Sequence, residues 1–222
     1  MEDMHIHLKE GIFDQDIFDS YIKKCISMGL NKVVFLDHGN RISPKHKAVL
    51  DNEEAVDMLT SKINNDKSGL AILKGIEIDY SKDPDFRRET LRILNYGNFD
   101  WVVGAIHSLK FDSLREYLLC VQDMILNYNI NVIAHMIKSN EYKENEELLI
   151  NILELCNKKG IAIEINTSDR SRWDDELLYY FLRMMKLYDV SYVIGSDAHC
   201  VDDVGYKIKE IEEKILVWKK GE

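Results

Sequence analysis

The sequence predicts an α/β protein in which a parallel sheet of seven strands is connected by helical crossovers. Short runs rich in Val, Ile, Phe and Tyr alternate with longer amphipathic segments along the 222 residues. Apolar runs that lack polar alternation are typical of parallel strands buried on both faces. The candidate strands are residues 4–8, 32–36, 71–78, 101–106, 131–134, 161–165 and 191–194.

Four of the intervening segments have apolar residues at the spacing i, i+3, i+4 and i+7, which predicts helices that each bury one stripe. Gly29 and Gly160 follow two of these stripes, where glycine commonly ends a helix. The alternation fits both a closed barrel and an open doubly wound sheet. The stripes are Ile17, Tyr21, Cys25 and Met28; Leu148, Leu149, Ile152, Leu153 and Cys156; Leu177, Leu178, Phe181, Leu182 and Met185; and Val204, Ile208, Ile211 and Ile215.

Composition and charge favour one well-packed domain spanning residues 1–222. Hydrophobic residues make up 45% of the chain and the formal net charge is −10, which disfavours nucleic acid and anionic membranes as partners. The opening MEDMHIHLKE lacks the basic and apolar regions of a secretion signal. Four widely spaced cysteines form no C-x-x-C pair. We therefore expect a cytoplasmic protein without disulfides, not bound to a membrane.

Histidines concentrate where the predicted strands end. Six of the seven histidines in the chain lie at or just after the end of a strand, the end at which parallel α/β folds place their sites. Side chains alternate along a strand, so His5 and His7 face the same way, as do Asp197 and His199. The strand-end histidines are His5, His7, His38, His107, His135 and His199, and Glu77 and Asp197 accompany them.

These side chains predict a metal centre. Imidazole and carboxylate together suit Zn, Mn or Fe, and the set exceeds what one ion needs. A carboxylate such as Glu77 can bridge two ions. A single strand-end histidine is more often a hydrogen-bonded structural residue, but six with two carboxylates at the same end are hard to explain that way. His46 lies in a polar segment, and we interpret it as a solvated loop residue.

Seven motifs resemble those of the PHP (polymerase and histidinol phosphatase) family. They are MHIHL, FLDHG, GIEIDY, VVGAIHS, VIAH, IEINTS and IGSDAH, and they occur in the family's order from residue 4 to about residue 205. The resemblance implies a single distorted (β/α)7 TIM-like barrel, two or three divalent metal ions and phosphoester hydrolysis. A stand-alone barrel with EINTS before basic residues resembles the histidinol-phosphatase branch. The tyrosine-phosphatase branch has a different opening segment and ranks lower.

The resemblance also implies a ligand set. His5, His7 and Asp197 would hold a first ion, Glu77 would bridge to a second ion completed by His107 and His135, and His38 and His199 would hold a third. Many relatives have a further histidine where this chain has Phe13. Glu10 is the candidate substitute for that third-ion ligand, whereas Asp14 suits the N-cap of the helix that follows.

The expected chemistry is hydrolysis of a small phosphate monoester by a hydroxide that bridges the metal ions. Histidinol phosphate is the suggested substrate, and Asp197 or His199 would assist proton transfer. Guanidinium groups bind phosphate well. The candidate substrate-binding residues are Arg41, Arg170, Arg172, Asn166 and Ser108, and Glu164, on the same strand face as Asn166, is expected to be structural.

Two other functions compete with this prediction. A nuclease or phosphodiesterase of the same fold would need a basic track and stacking aromatic residues, which the charge of −10 disfavours. A non-catalytic metal-binding or regulatory module would be indicated by a broken ligand set, and only the Phe13 position fits that idea.

Overall fold

The computed structural model describes residues 1–40, 48–107, 109–137, 140–168 and 174–221. Within them, seven strands alternate with seven α-helices, each strand being followed by a helix. The strands are β1 (Glu2–His7), β2 (Lys32–Leu36), β3 (Ala71–Asp79), β4 (Trp101–Ala105), β5 (Val132–Ile133), β6 (Ala162–Asn166) and β7 (Tyr192–Gly195). The helices are α1 (Gln15–Ser27), α2 (Glu53–Asn65), α3 (Pro84–Gly97), α4 (Leu114–Asn127), α5 (Glu146–Lys159), α6 (Asp175–Leu187) and α7 (Ile208–Gly221).

The strands form a nearly closed parallel barrel. Every strand pairs in parallel with its neighbour in the chain, in the order β1 to β7. The two ends of the sheet meet beyond β7, where Ile6 and Ala198 form a parallel bridge. The amide of His7 donates to the carbonyl of Ala198 at 2.9 Å. The (β/α)7 TIM-like barrel is therefore confirmed, and the open doubly wound sheet is wrong.

Local sequence signals place the helix ends well. The Asp14 carboxylate caps α1 by accepting the amides of Asp16 and Ile17. Gly160 ends α5 in the left-handed region at φ 68°, and Gly29 follows α1 at φ 72°. These roles suit a residue without a Cβ atom.

One helix prediction needs correction. Val204 does not belong to the last helix, because α7 begins at Ile208. A 3-10 turn, Val201–Asp203, precedes Val204. Gly205 at φ 73° then redirects the chain. Val204 is nevertheless buried in the core. The apolar periodicity at this position therefore reflected the burial of the side chain and not a helical backbone.

Small and medium apolar side chains fill the barrel interior and form a floor beneath the strand ends. Because side chains alternate, the residue two positions further along a strand faces the same interior. Leu36 is thus followed by His38, and Ala105 by His107. The floor comprises Met4, Val34, Leu36, Val103, Ala105, Val132, Ala134 and Ala162. The barrel therefore directs His38 and His107 inward near its carboxyl-terminal rim.

Strand β1 departs from this alternation. Met4 packs in the floor, yet His5 and His7 also face the interior. The pairing of β1 with β2 shifts register between Asp3 and Ile6. Such irregularities re-aim side chains next to functional sites. The shift lets one strand supply both an apolar floor residue and an H-x-H pair.

Adding a methyl group at Gly75, which lies beside floor residues, should destabilise the barrel. A Cβ atom there would lie 2.5 Å from Val34 Cγ1 and 3.0 Å from Leu36 Cβ. We expect Gly75→Ala to lower the free energy of unfolding by about 1–3 kcal/mol, as overpacked cores do. Urea unfolding measures it, with Gly221→Ala as the control because nothing lies within 4 Å of its added Cβ. Equal unfolding midpoints for both variants would contradict this packing.

The cysteines are free thiols. Cys25, Cys120 and Cys156 are buried, whereas Cys200 is exposed. Burial raises the pKa of the Cys25 and Cys156 thiols to about 12, which suits inert core residues. None of the described helices has the length and apolar character needed to cross a bilayer.

Candidate metal centre

The carboxyl-terminal rim of the barrel brings the predicted ligands into one cluster. Potential ligand atoms of these residues lie within 4.8 Å of one another in groups of three. The groups are His5, His7 and Glu77; His7, Asp37 and His38; His7, Asp197 and His199; and His38, Glu77 and His107. His135 joins through Glu77, so each of the eight expected ligands is present.

Glu77 occupies the centre of the cluster and is 1% exposed. Its Oε1 atom lies 3.2 Å from His135 Nε2 and 3.5 Å from His107 Nε2. The other oxygen, Oε2, lies 3.0 Å from His38 Nδ1 and 3.4 Å from His7 Nε2. One carboxylate thus faces histidines on two sides, which is the geometry expected of a group shared by two ions.

Asp197 lies on the opposite side of the H-x-H pair from β2. Its Oδ1 atom is 3.4 Å from His7 Nε2, 3.7 Å from His5 Nε2 and 3.3 Å from His199 Nε2. The Asp197 backbone has φ 52°, a left-handed conformation that is uncommon for a residue with a Cβ atom. Backbone strain of this kind concentrates at functional sites.

The donor atoms fit divalent cations. His5 Nε2 and His7 Nε2, which both face the cluster, lie 3.1 Å apart. Glu77 Oε2 is buried and makes no hydrogen bond of suitable geometry to the described residues. Buried polar atoms left unpaired are costly. Because nitrogen and carboxylate oxygen are zinc ligands, cations bound between these atoms would satisfy them.

Electrostatics keep the central acids ionised. Burial opposes ionisation of Glu77, but positive charge on His107, His38 and His5 holds its pKa well below the usual range. Burial likewise opposes ionisation of Asp197, and hydrogen bonds with His199 and His7 hold its pKa well below the usual range. The two carboxylates therefore carry negative charge near neutral pH, as cation ligands must.

Three carboxylates surround the ligands from outside. Glu164 Oε1 lies 2.7 Å from His5 Nδ1. Asp37 Oδ1 lies 3.6 Å from His7 Nδ1, and Asp79 Oδ2 lies 3.6 Å from His107 Nδ1. Metal-bound histidines commonly present their second nitrogen to such a carboxylate. Glu164, for which a structural role is expected, therefore lies where it can orient a ligand.

Sequence reasoning did not identify Asp37 and Asp79 as functional, although both occur beside ligands in the motifs FLDHG and GIEIDY. The Asp37 carboxylate accepts the amides of Lys9 and His38 at 2.6 and 2.8 Å. That of Asp79 accepts the His107 amide at 2.9 Å. Strand alternation could have indicated Asp79, since it shares a face with Glu77.

Most of the predicted substrate-binding residues lie outside the described residues: Arg41, Arg170, Arg172 and Ser108, together with the loop residue His46. Asn166 is described and is 2% exposed. Its Nδ2 donates to Glu164 Oε2 at 3.2 Å and to Asp197 Oδ2 at 3.3 Å. These contacts favour a positioning role for Asn166, and its contact with substrate stays a prediction.

Glu10 does not join the cluster. It is exposed in a 3-10 helix, Lys9–Ile12, directly after β1. The groups with metal-ligand spacing in the described part of the chain do not include it. Phe13, at the position where the family resemblance leads us to expect a histidine, is 53% exposed. Glu10 as a third-ion ligand therefore stays a prediction.

Comparisons with known proteins place the chain in a family. A model described as PHP domain matches residues 3–168. The histidinol-phosphatase of Lactococcus lactis is 24% identical over 226 residues, covering 89% of this chain and 83% of that protein.

The tyrosine-protein phosphatase YwqE of Bacillus subtilis is 25% identical over 218 residues, covering 95% of this chain and 82% of that protein. Among solved structures, histidinol phosphate phosphatase from Lactococcus lactis, in complex with zinc, L-histidinol and phosphate, has a TM-score of 0.75 at 21% identity. That alignment covers 99% of this chain and 92% of the other, and it shows a shared fold. The protein belongs to the PHP domain family.

Proposed function

We propose that this metal-dependent phosphatase hydrolyses a small-molecule phosphate monoester, with histidinol phosphate as the first candidate, and that residues 1–222 form one such catalytic domain. The observation that carries the proposal is the central position of Glu77, with histidine nitrogens within 3.5 Å of both its oxygens. A relative of the same family is a histidinol-phosphatase. The relative solved with L-histidinol and phosphate also contains zinc.

The proposed ligand assignment is the one that the family resemblance implies. His5, His7 and Asp197 would hold the first ion, and His107 and His135 would hold the second, with Glu77 shared between them. His38 and His199 are assigned to a third ion, and their rings are stacked with centroids 6.3 Å apart. Histidine-rich ligand sets favour zinc, and Mn and Fe are the alternatives.

Bound divalent ions would lower the pKa of a water molecule and neutralise charge on the phosphoryl oxygens. Hydrolysis breaks the ester P–O bond, joins water oxygen to phosphorus and leaves a proton on the departing oxygen. Asp197 or His199 is the proposed proton carrier, since their side chains are 10% and 18% exposed at the rim. His107 and His135 are 20% and 16% exposed, so the substrate approaches the rim between these four residues.

The buried predicted ligands have a different role. His5, His7 and Glu77 are at most 1% exposed and keep the base of the site dry. Exclusion of water strengthens every charge interaction at the reacting group. We assign the phosphate-binding guanidinium to Arg41, Arg170 or Arg172, by analogy with the preference of phosphate for planar, bidentate donors.

A substrate panel tests the proposal. Purified protein is stripped with a chelator, reloaded with zinc and assayed for phosphate release from histidinol phosphate, a phosphotyrosine peptide and a phosphodiester. We expect the highest kcat/KM on histidinol phosphate and background rates in chelator. A preference for the peptide would assign the substrate class of the tyrosine phosphatase relative.

The competing functions give different outcomes. Cleavage of the diester or of a short single-stranded DNA, without monoester hydrolysis, would overturn the proposal in favour of a phosphodiesterase or nuclease. Zinc binding without hydrolysis of any substrate would favour a metal-binding regulatory module. Single alanine variants then identify the phosphate ligand. The variant of Arg41, Arg170 or Arg172 that removes this ligand should have a raised KM for the monoester.

A further inference from the structure

We propose that Glu164 is a positioning residue that orients ligands of both central metal positions at once, an inference that rests on the proposed metal-dependent function. Glu164 lies on the inward face of β6 and is 2% exposed. Its two oxygens contact residues of different strands. One contacts His5 in β1, and the other contacts His135 shortly after β5. A single side chain thus links the two halves of the site.

The first contact fixes the His5 ring. Glu164 Oε1 lies 2.7 Å from His5 Nδ1. Because a carboxylate only accepts hydrogen bonds, Nδ1 carries a proton, and in the neutral ring the lone pair then resides on Nε2. That Nε2 atom faces the cluster, 3.8 Å from Glu77 Oε1 and 3.7 Å from Asp197 Oδ1. Glu164 therefore selects the tautomer of His5 that can bind a cation.

The second contact fixes the backbone at His135. Glu164 Oε2 accepts the His135 amide at 2.8 Å. The His135 backbone has φ 36°, a left-handed conformation that is strained for a residue with a Cβ atom and needs support from its surroundings. In this conformation the His135 ring places Nε2 3.2 Å from Glu77 Oε1.

Strand β7 leaves room for this arrangement by presenting a glycine. A Cβ atom on Gly195 would lie 2.4 Å from Glu164 Oε1 and 2.6 Å from His5 Cβ. The Glu164–His5 pair is therefore packed against bare backbone, and neither side chain has space to shift towards β7. The same carboxylate also accepts Asn166 Nδ2 at 3.2 Å, and Asn166 Nδ2 reaches Asp197 Oδ2 at 3.3 Å.

Glutamine cannot reproduce both contacts. Its amide has one acceptor oxygen and one donor NH2 group, whereas Nδ1–H of His5 and the amide of His135 both require an acceptor. Asp79 provides the matched comparison. Asp79 contacts the predicted ligand His107 through its amide at 2.9 Å and its ring at 3.6 Å. Asp79→Asn makes the same chemical change beside a ligand of the second metal position.

Zinc titration in competition with a chromophoric chelator tests the inference, because it resolves successive dissociation constants without any assay of activity. We expect Glu164→Gln to weaken both of the two tightest zinc sites by about 10–100-fold, the range typical of groups that orient metal ligands. Asp79→Asn should weaken one of them by a similar factor. Unchanged constants in Glu164→Gln, or a change in one site only, would overturn the inference.

Failure of the proposed function would look different, because the wild-type protein itself would then bind no zinc or hydrolyse no monoester.

A second measurement avoids dependence on the folding of a variant. In zinc-loaded wild-type protein labelled with 15N-histidine, NMR should show His5 protonated at Nδ1 and bound to zinc through Nε2. The reverse assignment would overturn the role of Glu164.

Discussion

Replacing Glu77 with glutamine should abolish phosphate release and remove tightly bound metal from the protein. The Glu77 carboxylate lies within 3.5 Å of nitrogens on four histidines, so no other side chain can substitute for its shared position. We expect kcat/KM to fall by about 10³-fold or more, which corresponds to about 4 kcal/mol of transition-state stabilisation. Initial rates and metal analysis of the purified variant measure the two losses.

The control for this variant is Glu89→Gln, the same change at an exposed position. Glu89 pairs with Arg92 on the surface of α3 and belongs to none of the ligand groups within the described residues. We expect its rates and metal content to match the wild type. Because Glu77→Gln removes a buried charge from a histidine cluster, the substitution also changes the stability of the fold. Thermal unfolding of the metal-free variant therefore distinguishes loss of function from loss of fold. Retention of wild-type activity by Glu77→Gln would eliminate the shared-carboxylate site.

Metal loading should raise the melting temperature by about 10 °C. The carboxyl-terminal rim of the barrel buries Glu77, Asp197 and neighbouring histidines together. Burial of these groups has a cost in desolvation, which bound cations would offset. A ligand at about 1,000 times its Kd stabilises the folded state by about 4 kcal/mol. For a chain of this size each kcal/mol shifts Tm by about 2–4 °C. Calorimetry with and without zinc measures the shift.

The Glu77→Gln protein is the control for that experiment, because zinc should then give a much smaller shift. Zinc binding to histidines of the unfolded chain would reduce the shift in both proteins equally. An unchanged wild-type Tm at saturating zinc would contradict the assignment of these side chains as ligands.

Much of the fold follows from hydrophobic patterning. All seven predicted strands occur in the structure with bounds that differ by at most two residues at either end, for example residues 131–134 against Val132–Ile133. The pattern alone left barrel and open sheet equivalent, because both bury their strands on two faces. The closing bridge between Ile6 and Ala198 depends on a contact across the whole chain, which local periodicity does not encode.

The clustering of the predicted ligand side chains could also be predicted, because strand ends in parallel folds converge. The contacts of Asp37 and Glu164 with these ligands could not be predicted. Asp37 lies beside His7 and Glu164 beside His5, on a strand that shifts register between Asp3 and Ile6, and that irregularity leaves no signature in the sequence. These two contacts therefore became visible only in three dimensions.

A single titration tests the central claim most directly. Metal-stripped protein receives increasing zinc, and each sample is assayed both for zinc bound per chain and for phosphate released from histidinol phosphate. The proposed site predicts almost no release in the stripped protein and a rise to a plateau as the second ion binds around Glu77. Full release without metal, or zinc fully bound with no monoester hydrolysed, would contradict it.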